Sequence, residues 1–472
     1  MKRLISVLLL LTLAFSMCAC DMSMLQNILE NLPLETTENQ QPTPEETTPE
    51  DDGKIHITFY HNMGESGRAV LDKYIVEFNK LYPDIVIEHK QIGDYDQIQA
   101  EITSGDQPHI AYCYPYHVAL YNTTYAVQTL DEYIASTEVV TRADSTTEVL
   151  GLTQEQIDNF IDGFYEEGRV YGDGKMYTLP MSKFTEVLYY NKTFFEQHNL
   201  ILPSTWDEME ALCAAIKKID PNCIPLGYDS EENWFITMCE QLDSPYTSTT
   251  GEHFLFDNET NRNFVAKFRD WYKKGYVTTQ DIYGVYTSEL FKGKDGVQSY
   301  MCIASSAHAN YQIPKNDDGS FKFEVGVTTI PQVNPNSPKV IAQGPSLCIF
   351  KKSNDAEVQA SWLFVKFLTT NLDFQAEFGM TYGYIPVLEN ITENAAYAEK
   401  LATANGCKNL SLLVAKVALK QANNYFTPPA FLGSDVVRNE VGYLLQKCIS
   451  HEVDIQAEFQ KAVEECKHQI GE

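Results

Sequence analysis

The fold of this chain is decided by the stretch KIHITFYHNMGESGRAVLDKYIVEFNKLYPDIVIEHKQI, residues 54–92. Apolar and polar residues alternate over 55–59, which is the pattern of a strand. A helical stripe of apolar residues follows GESG (64–67), and Pro83 ends it before a second strand pattern at 85–92. Strand, helix and strand in this order favour the parallel sheet of an α/β protein.

The rest of the body continues to alternate between predicted strands and helices. A strand is expected at HIAYCYP (109–115), and helices are expected near 96–104, 356–370, 435–449 and 453–470. Thr205 and Glu208 form a capping box, which indicates that another helix begins there. From Lys54 to Glu472 the chain is long enough for two lobes with separate cores.

The N-terminus reads as a secretion signal. A basic start, Met1-Lys2-Arg3, precedes an uncharged apolar run at 4–17 that is too short to span a bilayer as an ordinary helix. The small residue before Cys20 completes a segment that resembles a bacterial lipobox. This resemblance implies cleavage of a signal peptide, residues 1–19, and a lipid on the Cys20 thiol. Cys18 and an ordinary signal peptide remain alternatives.

An acidic tether is predicted to follow the lipidated cysteine. Residues 35–53 hold no large apolar residue, three prolines and many carboxylates, so they cannot bury enough surface to offset the entropy of ordering. We therefore assign 20–53 to a flexible tether that holds the body near a membrane. No later stretch approaches 18 uncharged apolar residues, so the body itself is not expected to span one.

Charge and cysteine content exclude several classes of function. Lysine and arginine number 35 against 65 acidic residues, and the net charge of −30 argues against binding nucleic acid or anionic lipid. The cysteines form no CxxC pair and no cluster with histidine, so we expect no metal site and mostly buried free thiols. Their disulfide pairing stays open. The cysteines of the body are Cys113, Cys213, Cys223, Cys239, Cys302, Cys348, Cys407, Cys448 and Cys466.

The sequence contains none of four common catalytic motifs. The sequence holds no G-x-S-x-G elbow, P-loop, G-x-G-x-x-G turn after a strand or H-E-x-x-H helix. The pairs Glu166-Glu167 and Glu231-Glu232 lie in polar stretches and are predicted to be solvated. We expect a protein that is not an enzyme and uses no cofactor. A surface-anchored glycan hydrolase is the remote alternative, and it would need two carboxyl groups about 5–10 Å apart across a sugar.

The body, residues 54–472, resembles the extracellular solute-binding proteins of bacterial ABC importers, in the carbohydrate-binding family 1. Within that family it is most similar to the subgroup that binds glycerol-3-phosphate and related ligands. The segments that carry the resemblance are ITFYHNMGESG (57–67), EFNKLYPDI (77–85), GKMYTLP (174–180), VLYYNKTFFE (187–196), LPSTWDEMEAL (202–212), CIASSAHANY (302–311), QGPSL (343–347) and YGYIPV (382–387).

The resemblance implies a two-lobe periplasmic-binding-protein-like fold. Each lobe would be an α/β unit with a mostly parallel sheet flanked by helices, and ligand would bind in the cleft between the lobes. We place the crossings between lobes near 182, 343 and 389. The N-terminal lobe is then 54–181 with 343–388, and the C-terminal lobe is 182–342 with 389–472.

The family also implies partners and a location. We expect a lipid-anchored monomer on the extracellular face of the cell membrane or in the periplasm. It would capture a carbohydrate and deliver it by hinge closure to the permease subunits of an ABC transporter.

Candidate ligand contacts follow from the matching segments. Tyrosine and tryptophan rings can stack on a sugar face, serine and glycine turns offer hydroxyl and backbone N–H groups, and arginine donates to hydroxyls. Each has a structural alternative: a core ring, a helix cap, a turn glycine or an exposed arginine. The candidates are Tyr95, Tyr114, Trp234, Ser305, Ser306, Gly344, Tyr384 and Arg438.

Two departures from the glycerol-phosphate subgroup bear on the ligand. Pro115 stands where that subgroup has an acidic residue after the third strand. Lys183 and Phe184 replace serines in the run MSKFTE (181–186). Lost hydrogen-bonding groups argue for a changed ligand, because polar recognition tolerates unpaired partners poorly.

The two ligand hypotheses use different residues. A neutral mono- or oligosaccharide is favoured, held by a cleft rich in aromatic rings: Tyr114, Tyr116, Trp234, Tyr382 and Tyr384. The alternative is glycerol-3-phosphate or a related phosphorylated polyol. Its anionic group would be held by Arg438, Lys183 and the Ser305-Ser306 turn.

Overall fold

The structure of the protein is a computed structural model, and it describes residues 52–93, 95–293 and 296–472. The predicted signal peptide, Cys20 and the tether up to residue 51 lie outside the described residues. Gly53–Glu472 form one compact unit.

The strands are β1 (Ile55–His61), β2 (Ile85–Gln91), β3 (Ile110–Cys113), β4 (Val139–Thr141), β5 (Thr147–Val149), β6 (Thr178–Pro180), β7 (Phe184–Asn191), β8 (Leu226–Tyr228), β9 (Val277–Thr279), β10 (Met301–Ser305), β11 (Val325–Thr328), β12 (Val340–Gln343), β13 (Ser346–Ile349) and β14 (Tyr425–Phe426). The helices are α1 (Glu65–Leu81), α2 (Asp96–Ser104), α3 (Pro115–Tyr121), α4 (Asp131–Ile134), α5 (Gln154–Asp158), α6 (Asp162–Glu166), α7 (Lys192–His198), α8 (Trp206–Ile219), α9 (Glu231–Gln241), α10 (Glu259–Lys273), α11 (Gln280–Tyr283), α12 (Ser288–Phe291), α13 (Asp355–Thr370), α14 (Leu372–Tyr382), α15 (Ala395–Ala402), α16 (Leu410–Leu419), α17 (Ser434–Ser450) and α18 (Ile455–Ile470).

The opening β–α–β unit is confirmed. β1 and β2 pair in parallel over their full length, with Ile55 opposite Ile85. The apolar stripe of α1, which includes Leu71 and Phe78, is buried against the sheet. The helix ends two residues before Pro83, as expected from the steric restriction that proline places on the residue before it.

The first sheet has the order β2-β1-β3-β13-β6. β3 runs parallel to β1, whereas β13 runs antiparallel to both β3 and β6. β13 comes from a much later part of the chain, and its four residues are all buried. The first sheet is thus completed by a segment that returns to it after the second sheet has been built.

The second sheet is centred on β7. Its order is β14-β12-β7-β10-β8-β9, and β11 also pairs with β7. β7 is antiparallel to β10, β11 and β12, whereas β8 lies parallel to both β10 and β9.

Two short links join the sheets. The chain leaves the first sheet at Pro180 and enters the second at Phe184, then leaves the second at Gln343 and re-enters the first at Ser346. The sheets with their helices give the two-lobe α/β architecture expected from the sequence. The prediction that each sheet is mostly parallel is wrong, because β13 and β7 run antiparallel to all the strands they pair with. The exact lobe boundaries, including a crossing near 389, stay predictions.

The other helices begin and end close to where the sequence placed them, as α2, α13, α17 and α18 show. The capping box is confirmed: Thr205 Oγ1 accepts from the backbone N–H of Glu208 at 3.1 Å, and the Glu208 carboxylate accepts from the backbone N–H of Thr205 at 3.1 Å. The buried stripe of α8, including Trp206 and Ile216, then packs into the core.

The nine cysteines of the body are all buried free thiols. Among the described residues, no helix combines the length and apolar character needed to cross a membrane. Nor does that part of the chain contain three metal-ligating side chains grouped closely enough to hold an ion.

Candidate functional site

A cavity opens where the two lobes face each other, and we call it the cleft cavity. Its unfilled volume, including space open to solvent, is about 570 Å³. Most of its wall is apolar or aromatic, with a few polar groups between. It is lined by Tyr114, Pro115, Tyr116, Glu167, Ile236, Tyr246, Thr247, Ile341, Ala342, Gln343, Thr427, Pro428, Pro429, Ala430, Ser434, Val437 and Arg438.

The N-terminal lobe supplies an aromatic wall at the end of β3. Pro115 occupies the first position of α3, where a missing N–H is tolerated, so the strand passes directly into the helix. The flanking rings of Tyr114 and Tyr116 are nearly parallel, at 16°, with centroids 6.0 Å apart. The backbone N–H of Tyr114 donates to His117 Nδ1 at 3.2 Å, which fixes the turn.

Tyr114 also belongs to a tyrosine cluster, which extends behind this wall. The other members of the cluster are Tyr95, Tyr112 and Tyr384. The rings of Tyr95 and Tyr114 meet edge to face at 6.2 Å. Burial raises the pKa of Tyr95 and of Tyr114 well above the ordinary value, and neighbouring tyrosines add to both shifts. The phenols therefore stay protonated and can donate hydrogen bonds. In the described part of the chain the buried hydroxyl of Tyr95 has no hydrogen-bond partner.

The floor of the cavity contains a buried ion pair. Lys183 Nζ donates to the Glu167 carboxylate, to the carbonyl of Gly344 at 2.9 Å and to Ser346 Oγ at 2.9 Å. Ser346 Oγ in turn donates to Glu167 at 2.8 Å, and Thr427 Oγ1 donates to its other oxygen at 3.2 Å. The charge of Glu167 is therefore compensated, although the residue faces the cavity.

This arrangement corrects two expectations. Lys183 is 0% exposed and fully engaged, so it does not offer its cation to a ligand phosphate. The predicted solvated pairs are wrong for one residue of each: Glu167 is 1% exposed and Glu231 is 2% exposed. Glu167 follows Phe164 by three residues, the spacing of one helical face, and that signal could have indicated its burial.

The C-terminal lobe places Arg438 in the opposite wall. It lies on the second turn of α17, and its guanidinium donates to Asn233 Oδ1 and lies 3.5 Å from the Glu232 carboxylate. Asn233 Nδ2 then donates to Gln343 Oε1 at 3.0 Å. The chain Arg438–Asn233–Gln343 holds two polar side chains at the cavity surface, and the charge of Arg438 has a nearby counter-ion.

Glu186 lies next to this network on β7. Burial raises the pKa of its carboxyl group to about 8, although hydrogen bonds from Tyr228 and Asn233 oppose the shift. The Tyr228 hydroxyl donates to Glu186 Oε2 at 2.7 Å. At neutral pH this group is therefore mainly uncharged.

Three hydroxyl groups of the lining residues are unpaired. Tyr246 OH, Thr247 Oγ1 and Ser434 Oγ are buried, and no group in the described part of the chain forms a hydrogen bond with them. A buried hydroxyl without a partner costs about 1–3 kcal/mol, so these groups favour a ligand that has hydroxyls of its own.

Of the predicted ligand contacts, Tyr114 and Arg438 line the cavity. Tyr95 and Tyr384 lie behind it, in the tyrosine cluster. Tyr384 is half-buried between Phe184 and Tyr382, with ring centroids 5.7 and 5.2 Å away.

Trp234 does not lie in the cleft. It is 0% exposed, with its ring stacked on Tyr228 at 4.8 Å and against Phe268 at 4.0 Å. Most side chains of α9 are buried, and the large ring of Trp234 packs with them in the core of the C-terminal lobe. The structure therefore gives Trp234 a packing role.

The serine and glycine turns also have structural roles here. Ser306 is buried, and its Oγ accepts from the backbone N–H of Thr185 at 3.0 Å. Ser305 Oγ caps the following 3₁₀ helix by accepting from Ala307 N–H at 3.2 Å. Gly344 has φ +120°, and a Cβ there would lie 2.6 Å from the carbonyl oxygen of Ser182, so only glycine fits this crossing.

Sequence reasoning missed most of the lining residues. They come from segments far apart in the chain: the loop at 246–247, β12, and the run Thr427-Pro428-Pro429-Ala430. The proline pair at 428–429 is the one local sign, because it indicates a rigid extended segment. That segment is tied to the N-terminal lobe by a hydrogen bond from Ala430 N–H to the Val170 carbonyl at 2.9 Å.

Two α/β lobes, joined by short links and facing each other across a polar and aromatic cavity, define a two-lobe binding protein. The chain matches the family described as bacterial extracellular solute-binding protein over residues 73–405. Because this match covers more than half of the chain, the protein belongs to that family.

Individual relatives are distant. The chain is 24% identical over 349 residues to the sn-glycerol-3-phosphate-binding periplasmic protein of Yersinia pestis, covering 70% of this chain and 74% of that one. It is 23% identical over 345 residues to the maltotriose-binding protein of Pyrococcus abyssi, covering 72% and 68%. Among solved structures, the cyclic alpha-maltosyl-1,6-maltose binding protein of Arthrobacter globiformis has a TM-score of 0.69 at 18% identity, over 89% of this chain and 99% of that one. The two-lobe fold is thereby confirmed.

Proposed function

We propose that this protein captures a neutral carbohydrate in the cleft cavity and delivers it to the permease of an ABC importer. The observation that carries the proposal is a cavity whose charges are compensated and whose buried hydroxyls lack partners. The compensated charges suit a ligand that carries no charge, and the unpaired hydroxyls suit a ligand that is rich in hydroxyl groups.

The charge balance is the first support. Glu167 is paired with Lys183, Arg438 lies beside Glu232, and Glu186 is mainly uncharged because its pKa is raised to about 8. The wall therefore offers little net charge to an ion, and desolvating an ionic ligand without a partner is costly. The chain's net charge of −30 also disfavours the approach of an anion at low salt.

The chemistry of the walls is the second support. A sugar ring presents apolar C–H faces and a rim of hydroxyls, so it needs aromatic or apolar surface next to hydrogen-bonding groups. Tyr114 and Tyr116 supply rings, whereas Tyr246, Thr247 and Ser434 supply hydroxyls. The maltotriose-binding relative and the maltosyl-maltose-binding structural neighbour are consistent with this class of ligand.

The proposed delivery of solute to the permease is supported by the family and by the positions of the cleft-cavity walls on both lobes. The cavity is formed by residues from both lobes, so a bound solute would hold the lobes together and present a closed form to the permease. In this proposal the protein is a monomer without enzymatic activity. A lipid on Cys20 and the acidic tether keep it at the outer face of the membrane.

Glycerol-3-phosphate, or a related phosphorylated polyol, is the second candidate ligand. It is favoured by the named ligand of the Yersinia pestis relative and by the guanidinium of Arg438 in the wall. Against it, Lys183 is withdrawn from the cavity and the Ser305-Ser306 turn is occupied with internal hydrogen bonds.

A thermal-shift panel of neutral sugars, sugar phosphates and glycerol-3-phosphate tests the proposal. A ligand at 100 times its dissociation constant adds about 2.7 kcal/mol to the free energy of unfolding, which a melting curve detects easily. Thr247→Val removes one unpaired hydroxyl and should weaken the response to the sugar. Thr403→Val changes an exposed threonine outside the cavity lining and serves as the control. A panel in which only phosphorylated compounds respond would contradict the proposal.

A further inference from the structure

A second cavity lies against the cleft cavity, and the two share the side chain of Tyr116. This outer cavity has an unfilled volume, including space open to solvent, of about 630 Å³. Tyr116 and Leu120 come from α3 of the N-terminal lobe. Leu432, Asp435 and Gln469 face them from the C-terminal lobe.

Tyr116 stands at the boundary between the cavities. Burial raises the pKa of its phenol, the Arg438 cation lowers it, and the Asp435 carboxylate raises it, so the ring lies near both charges. Arg438 lines the cleft cavity and Asp435 lines the outer cavity, and both belong to the start of α17. The two cavities are therefore neighbours, with Tyr116 as the side chain that lines both.

The outer cavity has the surface that a second sugar ring needs. Leu432 is 53% exposed although it is apolar, and Leu120 and the edge of Tyr116 extend this apolar surface. Asp435 and Gln469 lie beside it and can bind hydroxyls. An apolar patch rimmed by polar groups marks a binding surface, and this one adjoins the cavity in which the carbohydrate is proposed to bind.

We propose that the two cavities are consecutive subsites for one neutral saccharide of at least two sugar units, with Tyr116 between the units. The proposal rests on the function proposed above and deepens it by setting the size of the ligand. A monosaccharide would fill the cleft cavity and leave the outer cavity empty. Because both lobes line the outer cavity, the second unit would also help to hold them together.

Calorimetry with saccharides of increasing length tests this. The probes are glucose, maltose and maltotriose, with the corresponding xylose and mannose series in β-1,4 linkage. In the series that binds, we expect the disaccharide to bind at least about tenfold more tightly than its monomer. Leu432→Ala changes only the outer cavity, so it should remove most of that gain and change the affinity for the monomer by less than about threefold. Tyr116→Ala should weaken both ligands, because its ring lines both cavities, and should weaken the disaccharide more than the monomer.

Tyr443→Ala is the matched control, because Tyr443 is 62% exposed on α17 and lines neither cavity. Its affinities should equal those of the parent at every length. A monomer that binds as tightly as its oligomers would overturn this inference and leave the proposed function intact, as would equal losses for monomer and dimer in both cavity variants. If no saccharide of any series binds, the proposed function fails and this inference fails with it.

Discussion

Lys183 Nζ donates a hydrogen bond to the carboxylate of Glu167, and both side chains are almost completely excluded from solvent. Glu167 precedes the first link between the lobes and Lys183 lies within it. Two partners from the second link, Gly344 and Ser346, complete the network. A charge pair thus ties the two links together beneath the cleft cavity.

Breaking this pair should be costly. Lys183→Met leaves the Glu167 carboxylate buried without its cation, and we expect a loss of about 3–5 kcal/mol in the free energy of unfolding, measured by urea denaturation. Adding Glu167→Gln should recover part of the loss, since the uncompensated charge is then gone. Lys192→Met breaks an exposed pair with Glu196 and should cost less than about 1 kcal/mol. A Lys183→Met variant as stable as the Lys192→Met control would contradict this account.

Glu186 should make stability depend on pH. Its folded-state pKa of about 8 lies above the unfolded value of about 4.3, so the folded chain retains a proton that the unfolded chain releases. Its contribution to stability is fully present below about pH 4.3 and is lost as the pH rises through 8. Glu186→Gln keeps an uncharged side chain at every pH. Relative to the parent, this variant should therefore gain on the order of 2–4 kcal/mol between pH 5 and pH 8.

The control for that titration is Glu196→Gln, the same change at an exposed position. The stability difference of Glu186→Gln should rise more steeply with pH than that of this control. If it rises no more steeply, the carboxyl group is ionised in the folded protein and the charge balance proposed for the cavity is wrong.

Membrane attachment should depend on one thiol. Cys20→Ala is expected to move the protein from the membrane fraction to the soluble fraction, because it removes the atom that would carry the lipid. Cys18→Ala is the matched control and should leave the protein with the membrane. Release by Cys18→Ala but not by Cys20→Ala would show that the neighbouring cysteine is the anchor.

Ligand should draw the lobes together. Tyr114 and Arg438 line the cleft cavity from opposite lobes, so a solute that touches both favours a closed arrangement. Solution scattering should give a smaller radius of gyration at saturation with the bound sugar than without it. An unchanged radius at saturation rules out closure as the response to ligand.

Local sequence patterns predicted the parts of the fold that depend on periodicity. The alternation at 55–59 and the stripe from Leu71 to Phe78 were enough for β1 and α1, because burial on one face leaves its period in the sequence. The family resemblance assigned residues 343–388 to the N-terminal lobe, but no sequence pattern predicted that β13 lies between β3 and β6. Pairing between distant segments leaves no periodic trace.

The candidate site was less predictable for the same reason. Tyr114 and Arg438 line the cavity, but Trp234 and Ser306 meet structural needs that only the packed neighbours reveal. The prediction that Lys183 binds an anionic ligand is wrong, because the sequence cannot show that Glu167 and Gly344 converge on this side chain. Buried polar networks are built from several segments at once, and one segment does not disclose the others.

The central claim is that the cleft cavity binds a neutral carbohydrate, and calorimetry that compares neutral sugars with glycerol-3-phosphate tests it most directly. We expect tight binding of a neutral sugar, weakened by Arg438→Ala through lost hydrogen bonds to hydroxyls, and weak or no binding of glycerol-3-phosphate. Tight binding of glycerol-3-phosphate that disappears in Arg438→Ala, with no response to any neutral sugar, would contradict the claim.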